Sequence, residues 1–100
     1  MAHTHSESVC RLFEDILRLE TREECEAFFE DLCTVRELED MAQRLDAARL
    51  LDHGMNYQEI SERVGISTAT ISRVSKCLKY GSGYKAALTK EQNAESEANE

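Results

Sequence analysis

The residues best suited to recognition chemistry lie close together. Ser67, Thr68, Ala69, Thr70, Ser72, Arg73, Lys76 and Lys79 supply hydroxyls, a small apolar side chain and three cations along one short segment. At about 100° per residue, Ile71, Val74 and Leu78 cluster within about 60° of one another. Ala69 and Lys76 point the opposite way, flanked by Thr68, Ser72, Arg73 and Lys79. Such a helix buries one face and offers a hydroxylated, cationic one. Hydroxyls donate to or accept from base edges, an alanine methyl meets a thymine methyl, and Arg or Lys reaches guanine acceptors or phosphate. From Gly65 to Lys90 there is no Asp or Glu to oppose this.

Other chemistry has less support. None of the cysteines at 10, 25, 33 and 77 forms a Cys-x-x-Cys pair, and the first three fall at apolar helical positions. They read as reduced core thiols of a cytoplasmic protein, not as metal ligands. His3, His5 and Cys10 could gather a metal only in an N-terminus expected to fray, and His53 suits a helix C-terminus. No Gly-rich phosphate loop and no nucleophile–base pair stands out, so neither an enzyme nor a resident cofactor is expected.

Charge must be located before it is interpreted. The chain of 100 residues carries 12 Lys and Arg against 20 Asp and Glu, a net of −8. Taken whole, this opposes nucleic-acid binding, which needs phosphate neutralisation. By segment, residues 1–54 carry −8, residues 55–90 carry +4 and residues 91–100 carry −4. An acidic chain thus holds one continuous basic segment. No apolar run approaches the roughly 20 residues of a membrane span, and the N-terminus lacks secretory features.

The elements that must position the basic helix are all helical. Proline is absent and only four glycines occur, so long helices run unbroken. Val9, Leu12, Phe13, Ile16 and Leu17 predict a helix over about 6–20. Thr21 with Glu24 and Thr34 with Glu37 read as capping boxes opening two more, the second running to about His53 before a left-handed Gly54. That third helix is apolar on more than one side, which calls for neighbours on more than one side and predicts a dimer of interlocked helices. Asn56 then caps a short helix carrying Gln58, Glu59, Ile60 and Val64; Gly65 turns the chain, and Ser67 caps the basic helix. Support helix, glycine turn and outward basic helix make a helix-turn-helix, whose second helix enters the major groove. A short helix over 82–89 follows the Gly81-Ser82-Gly83 hinge. Residues 91–100 are expected to be a disordered acidic tail.

From Leu32 to Lys79, roughly half the chain, the sequence resembles the tryptophan repressor and, more closely, the bacterial Trp-repressor-related (YerC/YecD) proteins. The resemblance rests on Leu32-Cys33-Thr34, Arg44, Leu50-Leu51 with Gly54, Gln58-Glu59-Ile60, Val64-Gly65 and Ala69-Thr70-Ile71-Ser72-Arg73. It implies an all-α, Trp-repressor-like intertwined homodimer whose two heads enter successive major grooves of a near-palindromic operator. In the repressor, tryptophan sits between two arginines, which resemble Arg44 and Arg73, near a threonine that resembles Thr34. The family's glycine after the second arginine is replaced by Val74, expected to fill the indole's space, and Arg44 is then expected to pair with an acid.

The expectation is therefore one domain over 1–90, with dimerisation helices in 6–54 and a reading head in 56–79. It would be a sequence-specific regulator of transcription, acting as a repressor on double-stranded DNA through Gln58, Ser67, Thr68, Ala69, Thr70, Ser72, Arg73, Lys76 and Lys79. Tryptophan is not expected as corepressor, and the sequence specifies no other effector. The rival readings are a helix-turn-helix protein of replication or mobile-element recognition, and an interaction module that docks an acidic partner.

Overall fold

The computed structural model describes residues 4–98. Among them the regular elements are six helices: α1 (Glu7–Leu17), α2 (Arg22–Leu32), α3 (Val35–Asp52), α4 (Tyr57–Val64), α5 (Thr68–Tyr80) and α6 (Gly83–Ala98). By its backbone packing the chain divides into two compact units, Met1–Leu38 and Glu39–Glu100, with the boundary inside α3. His3, Asn99 and Glu100 lie outside the described residues, as does that part of the expected tail.

Side-chain caps set the helix boundaries of the first unit. The Ser6 hydroxyl accepts the Val9 N–H at 3.2 Å and starts α1. At α2 the Thr21 hydroxyl accepts the Glu24 N–H at 3.1 Å, while the Glu24 carboxylate accepts the N–H groups of Thr21 and Glu20 at 3.2 and 2.8 Å. With those two donors committed, α1 stops at Leu17, short of residue 20. Thr34 and Glu37 repeat the arrangement at α3, at 3.1 and 2.8 Å. The Thr34 backbone N–H, then its side chain, holds the Glu37 carboxyl below its ordinary pKa.

No residue of α1 or α2 is buried. Phe13, Leu17 and Leu32 remain 47, 83 and 53% exposed, so the apolar stripes of these helices cover little within their own unit. The thiols on those stripes share this fate. Cys10 and Cys25 are exposed and Cys33 is half-buried, so they are not core residues of this chain; Cys77, in the second unit, is exposed as well.

The second unit holds the core. Here α3 ends in a Schellman motif: Gly54, at φ +90°, donates to Leu51 O and Met55 donates to Leu50 O, both at 3.0 Å. Ala47 and Ala48 of α3, Ile60 of α4, Ile71 and Val74 of α5 and Leu88 of α6 form one buried cluster, ringed by partly buried residues including Tyr84. Between α5 and α6 the chain turns at Gly81. A side chain there would meet Cys77 O at 2.7 Å, and the Gly81 N–H donates to that same oxygen at 2.8 Å.

The C-terminal expectation needs correction. The helix does not end near residue 89, and residues 91–98 are not disordered: α6 runs to Ala98. Its later turns contain no Gly or Pro and are rich in Ala, Glu and Gln, which favour helix. They are also fastened to α3. Arg49 donates to Glu91 at 2.8–3.1 Å, and Gln92 donates to Asp52 at 3.1 Å. Low apolar content suggested disorder because contacts between residues about forty positions apart leave no local pattern.

Candidate nucleic-acid interface

The two helices that make the reading head are fixed at each end by local chemistry. Asn56 caps α4, its side-chain oxygen accepting the Glu59 N–H at 2.9 Å and its amide donating to the Glu59 carboxylate at 2.7 Å. Gly65 closes α4 at φ +84°, a left-handed value that strains any residue with a Cβ. Its N–H donates to Ser61 O at 2.9 Å. The Ser61 hydroxyl donates to Ile66 O at 2.6 Å and pins the turn from inside. Ser67 then caps α5, accepting the Thr70 N–H at 3.1 Å.

The packing of α5 sorts its side chains. Ile71, Val74 and Ser75 are buried, whereas Thr68, Ala69, Ser72, Arg73, Lys76 and Lys79 are exposed. The exposed set forms a continuous face without a carboxylate, and none of its three cations makes an ion pair among the described residues. Three of the expected contact residues are less free. Thr70 is half-buried, its hydroxyl shares a 3.0 Å hydrogen bond with that of Ser67, and Ser67 is engaged as the cap. Gln58 is exposed on α4 and donates to Glu62 at 3.1 Å.

Beside this face lies a cleft of about 360 Å³ lined by Arg44, Thr70, Arg73, Val74, Cys77 and Tyr84. Val74 is 2% exposed and belongs to the core cluster, as its spacing with Ile71 and Leu78 implied. It also forms one wall of the cleft. Arg44 does not pair with an acid: neither Arg44 nor Arg73 has an ion-pair or hydrogen-bond partner among the described residues. Two guanidinium groups thus line a recess with a phenol and a thiol, a donor-rich wall suited to an anion. Arg73 sits at the border between recess and outer face. Thr34 belongs to the first unit, where it caps α3.

Cys77 and Tyr84 were not foreseen in the lining. Cys77 follows Arg73 by one helical turn, so helical spacing could have found it. Tyr84 arrives only through the tight turn at Gly81. Arg49 lies on α3, and its partner Glu91 falls at the start of the segment expected to be an acidic tail.

Comparison with known proteins agrees with this geometry. Residues 7–92 match the family described as Trp repressor protein. The uncharacterized protein YerC of Bacillus subtilis (strain 168) is 48% identical over 89 residues, covering 88% of this chain and 86% of that one. A proposed Trp repressor from Staphylococcus aureus superposes with a TM-score of 0.82 at 43% identity, over 88% of this chain and 89% of the other. A TrpR-like protein from Eubacterium eligens ATCC 27750 gives a TM-score of 0.82 at 40% identity, over 87% of this chain and 91% of the other. By sequence, by fold and by the helix-turn-helix at Asn56–Tyr80, the chain belongs to the Trp repressor family.

Proposed function

We propose that the protein is a cytoplasmic, sequence-specific transcriptional regulator that acts as a repressor, binding a near-palindromic operator as a homodimer without tryptophan as corepressor. The observation that carries this reading is the carboxylate-free outer face of α5, where Thr68, Ala69, Ser72, Arg73, Lys76 and Lys79 stand exposed on a helix held by a glycine turn. In this assignment Thr68, Ala69 and Ser72 read base edges, Arg73 reaches both a base edge and a phosphate, and Lys76 and Lys79 hold phosphate. Gln58, Ser67 and Thr70 serve at the border of the contact, through the start of each helix. Family membership supports DNA as the partner.

The dimer is supported by the first unit, whose helices bury nothing of their own while Phe13 and Leu17 stand exposed. Apolar stripes of this kind need a partner surface. Sedimentation should give a dimer, and Leu17→Glu should shift it to monomer.

The central experiment is selection of bound sequences from a random duplex pool. An enriched motif with two-fold symmetry and half-sites about 34 Å apart is expected. If no fragment is retained more tightly than random duplex, the regulator reading fails.

A further inference from the structure

We propose that Arg49 and Glu91 are positioning residues for the reading helix: their charge pair ties α6 to α3 and thereby fixes how α5 is presented, with no ligand required. The reasoning rests on the DNA-reading role proposed for α5, and the experiment below separates the two.

The pair differs from those that Arg18 and Arg22 make. Arg18 with Glu14 and Asp15, and Arg22 with Glu26, join neighbouring turns of single helices and are largely exposed. Contacts of that type contribute little. Arg49 instead grips one carboxylate with Nε and Nη2, at 2.9 and 3.1 Å from Nε to Oε2 and Oε1 and 2.8 Å from Nη2 to Oε1. Its Nη1 donates to Asp46 at 2.8 Å, so the fork is held from its own helix as well. Side-chain exposure is down to 36% for Arg49 and 38% for Glu91. A bidentate guanidinium–carboxylate pair fixes direction as well as distance. The same contact holds the Glu91 carboxyl below its ordinary pKa, chiefly through the Arg49 hydrogen bonds.

Its place in the fold gives the pair leverage. The buried face of α5, through Ile71 and Val74, shares a core with Ile60 of α4 and Leu88 of α6. Leu88 is the one buried residue of α6. Beyond it, ten residues to Ala98 extend about 15 Å of helix with little apolar anchorage. There, side-chain hydrogen bonds reach α3 through Arg49–Glu91 and Gln92–Asp52. Released at Glu91, α6 can swing about Leu88, and the wall against which α5 rests moves with it. The acidic residue that opens the apparent tail is therefore a fastening point of the reading head.

The test compares full-length wild type with Glu91→Gln, Arg49→Lys and the control Glu95→Gln. The control removes the same charge from an exposed position of the same helix. Amide hydrogen exchange is followed across α4, α5 and α6, and binding is measured to a selected duplex and a scrambled one. Expected for Glu91→Gln is exchange about 2–5-fold faster in α6 and α5, with the slowest α4 amides and the Glu95→Gln protein unchanged. Affinity for the selected duplex should fall by a similar factor while that for the scrambled duplex holds. Arg49→Lys, which keeps the charge but not the fork, should fall between. Exchange in α5 indistinguishable from wild type overturns the proposal, as does equal loosening in Glu95→Gln. Should wild type favour no duplex, the DNA reading falls, and the exchange result alone decides the role of the pair.

Discussion

Removing the Lys79 ammonium should change how strongly salt weakens DNA binding, by an amount that follows from the outer face of α5. That face exposes three cations, Arg73, Lys76 and Lys79, none of them neutralised by a carboxylate among the described residues. Two heads then place six on the duplex. Each neutralised phosphate contributes about −0.9 to the slope of log affinity against log salt, so the slope should be about −5.4. Raising salt from about 50 to 200 mM lowers affinity by about 10³-fold at that slope. Lys79→Ala removes one contact per head, giving a slope of about −3.6 and a loss of only about 150-fold over the same range. Fluorescence anisotropy with labelled duplex, titrated at five or so salt concentrations, resolves that difference. The change should be equal on a selected and a scrambled duplex, because phosphate carries no sequence information directly. An unchanged slope, or a change confined to the selected duplex, refutes the assignment of Lys79 to the backbone. A wild-type slope near zero refutes α5 as the interface.

Other perturbations probe the scaffold and the cleft. Gly65→Ala has open space for its Cβ but inherits φ +84°, so thermal melts should show a loss of about 1–2 kcal/mol from left-handed strain alone. Val74→Ala removes two methyl groups from a site 2% exposed and should cost about 1.5–3 kcal/mol in urea unfolding. Calorimetry with tryptophan should show no binding heat for wild type, whereas Val74→Gly should gain it; micromolar binding by wild type would overturn the role given to Val74. Acid should destabilise the fold through Glu37 and Glu91, whose pKa values are lowered by Thr34 and Arg49 respectively. A depressed carboxyl contributes stability above its unfolded value of about 4.3, lost as pH falls through the folded value. Urea midpoints against pH should therefore drop below about pH 4.5, with a shallower drop in Glu37→Gln.

Features governed by neighbours in sequence were legible from it. Thr21 with Glu24, Thr34 with Glu37, Asn56 with Glu59 and Ser67 with Thr70 all cap as their spacing indicates. Gly54 and Gly65 take the left-handed conformations that their places after apolar helices require. The division of α5 into Ile71 and Val74 inside, and Thr68, Ala69, Ser72, Arg73, Lys76 and Lys79 outside, follows from one period of 100°. What escaped depends on contacts across the fold. Glu91 looks like a solvated acid until Arg49 is seen against it, and Tyr84 looks like one residue of a short helix until the turn at Gly81 brings it beside Arg73 and Arg44. The cysteines show the converse error: apolar spacing established a stripe, and burial was inferred from it, although Cys10 and Cys25 stay exposed in the chain.

The opposition between a net charge of −8 and a DNA-reading helix dissolves when each charge is assigned its partner. Glu24, Glu37 and Glu59 stand at the third position of their helices, accepting backbone or cap hydrogen bonds where the helix dipole favours a carboxylate. Glu14, Asp15 and Glu26 face Arg18 and Arg22, while Asp46 and Glu91 face Arg49. These cations are therefore offset by carboxylates within the chain. Arg63, Arg73, Lys76 and Lys79 make no such pairs among the described residues, and all four stand exposed. At physiological salt a charge acts over about 8 Å, so a phosphate approaching α5 meets Arg73, Lys76 and Lys79 far more strongly than distant glutamates. Distant acids still lower the attraction for any duplex presented in the wrong register. Such a charge arrangement weakens indiscriminate association and leaves the close contacts of α5 to decide which DNA is held.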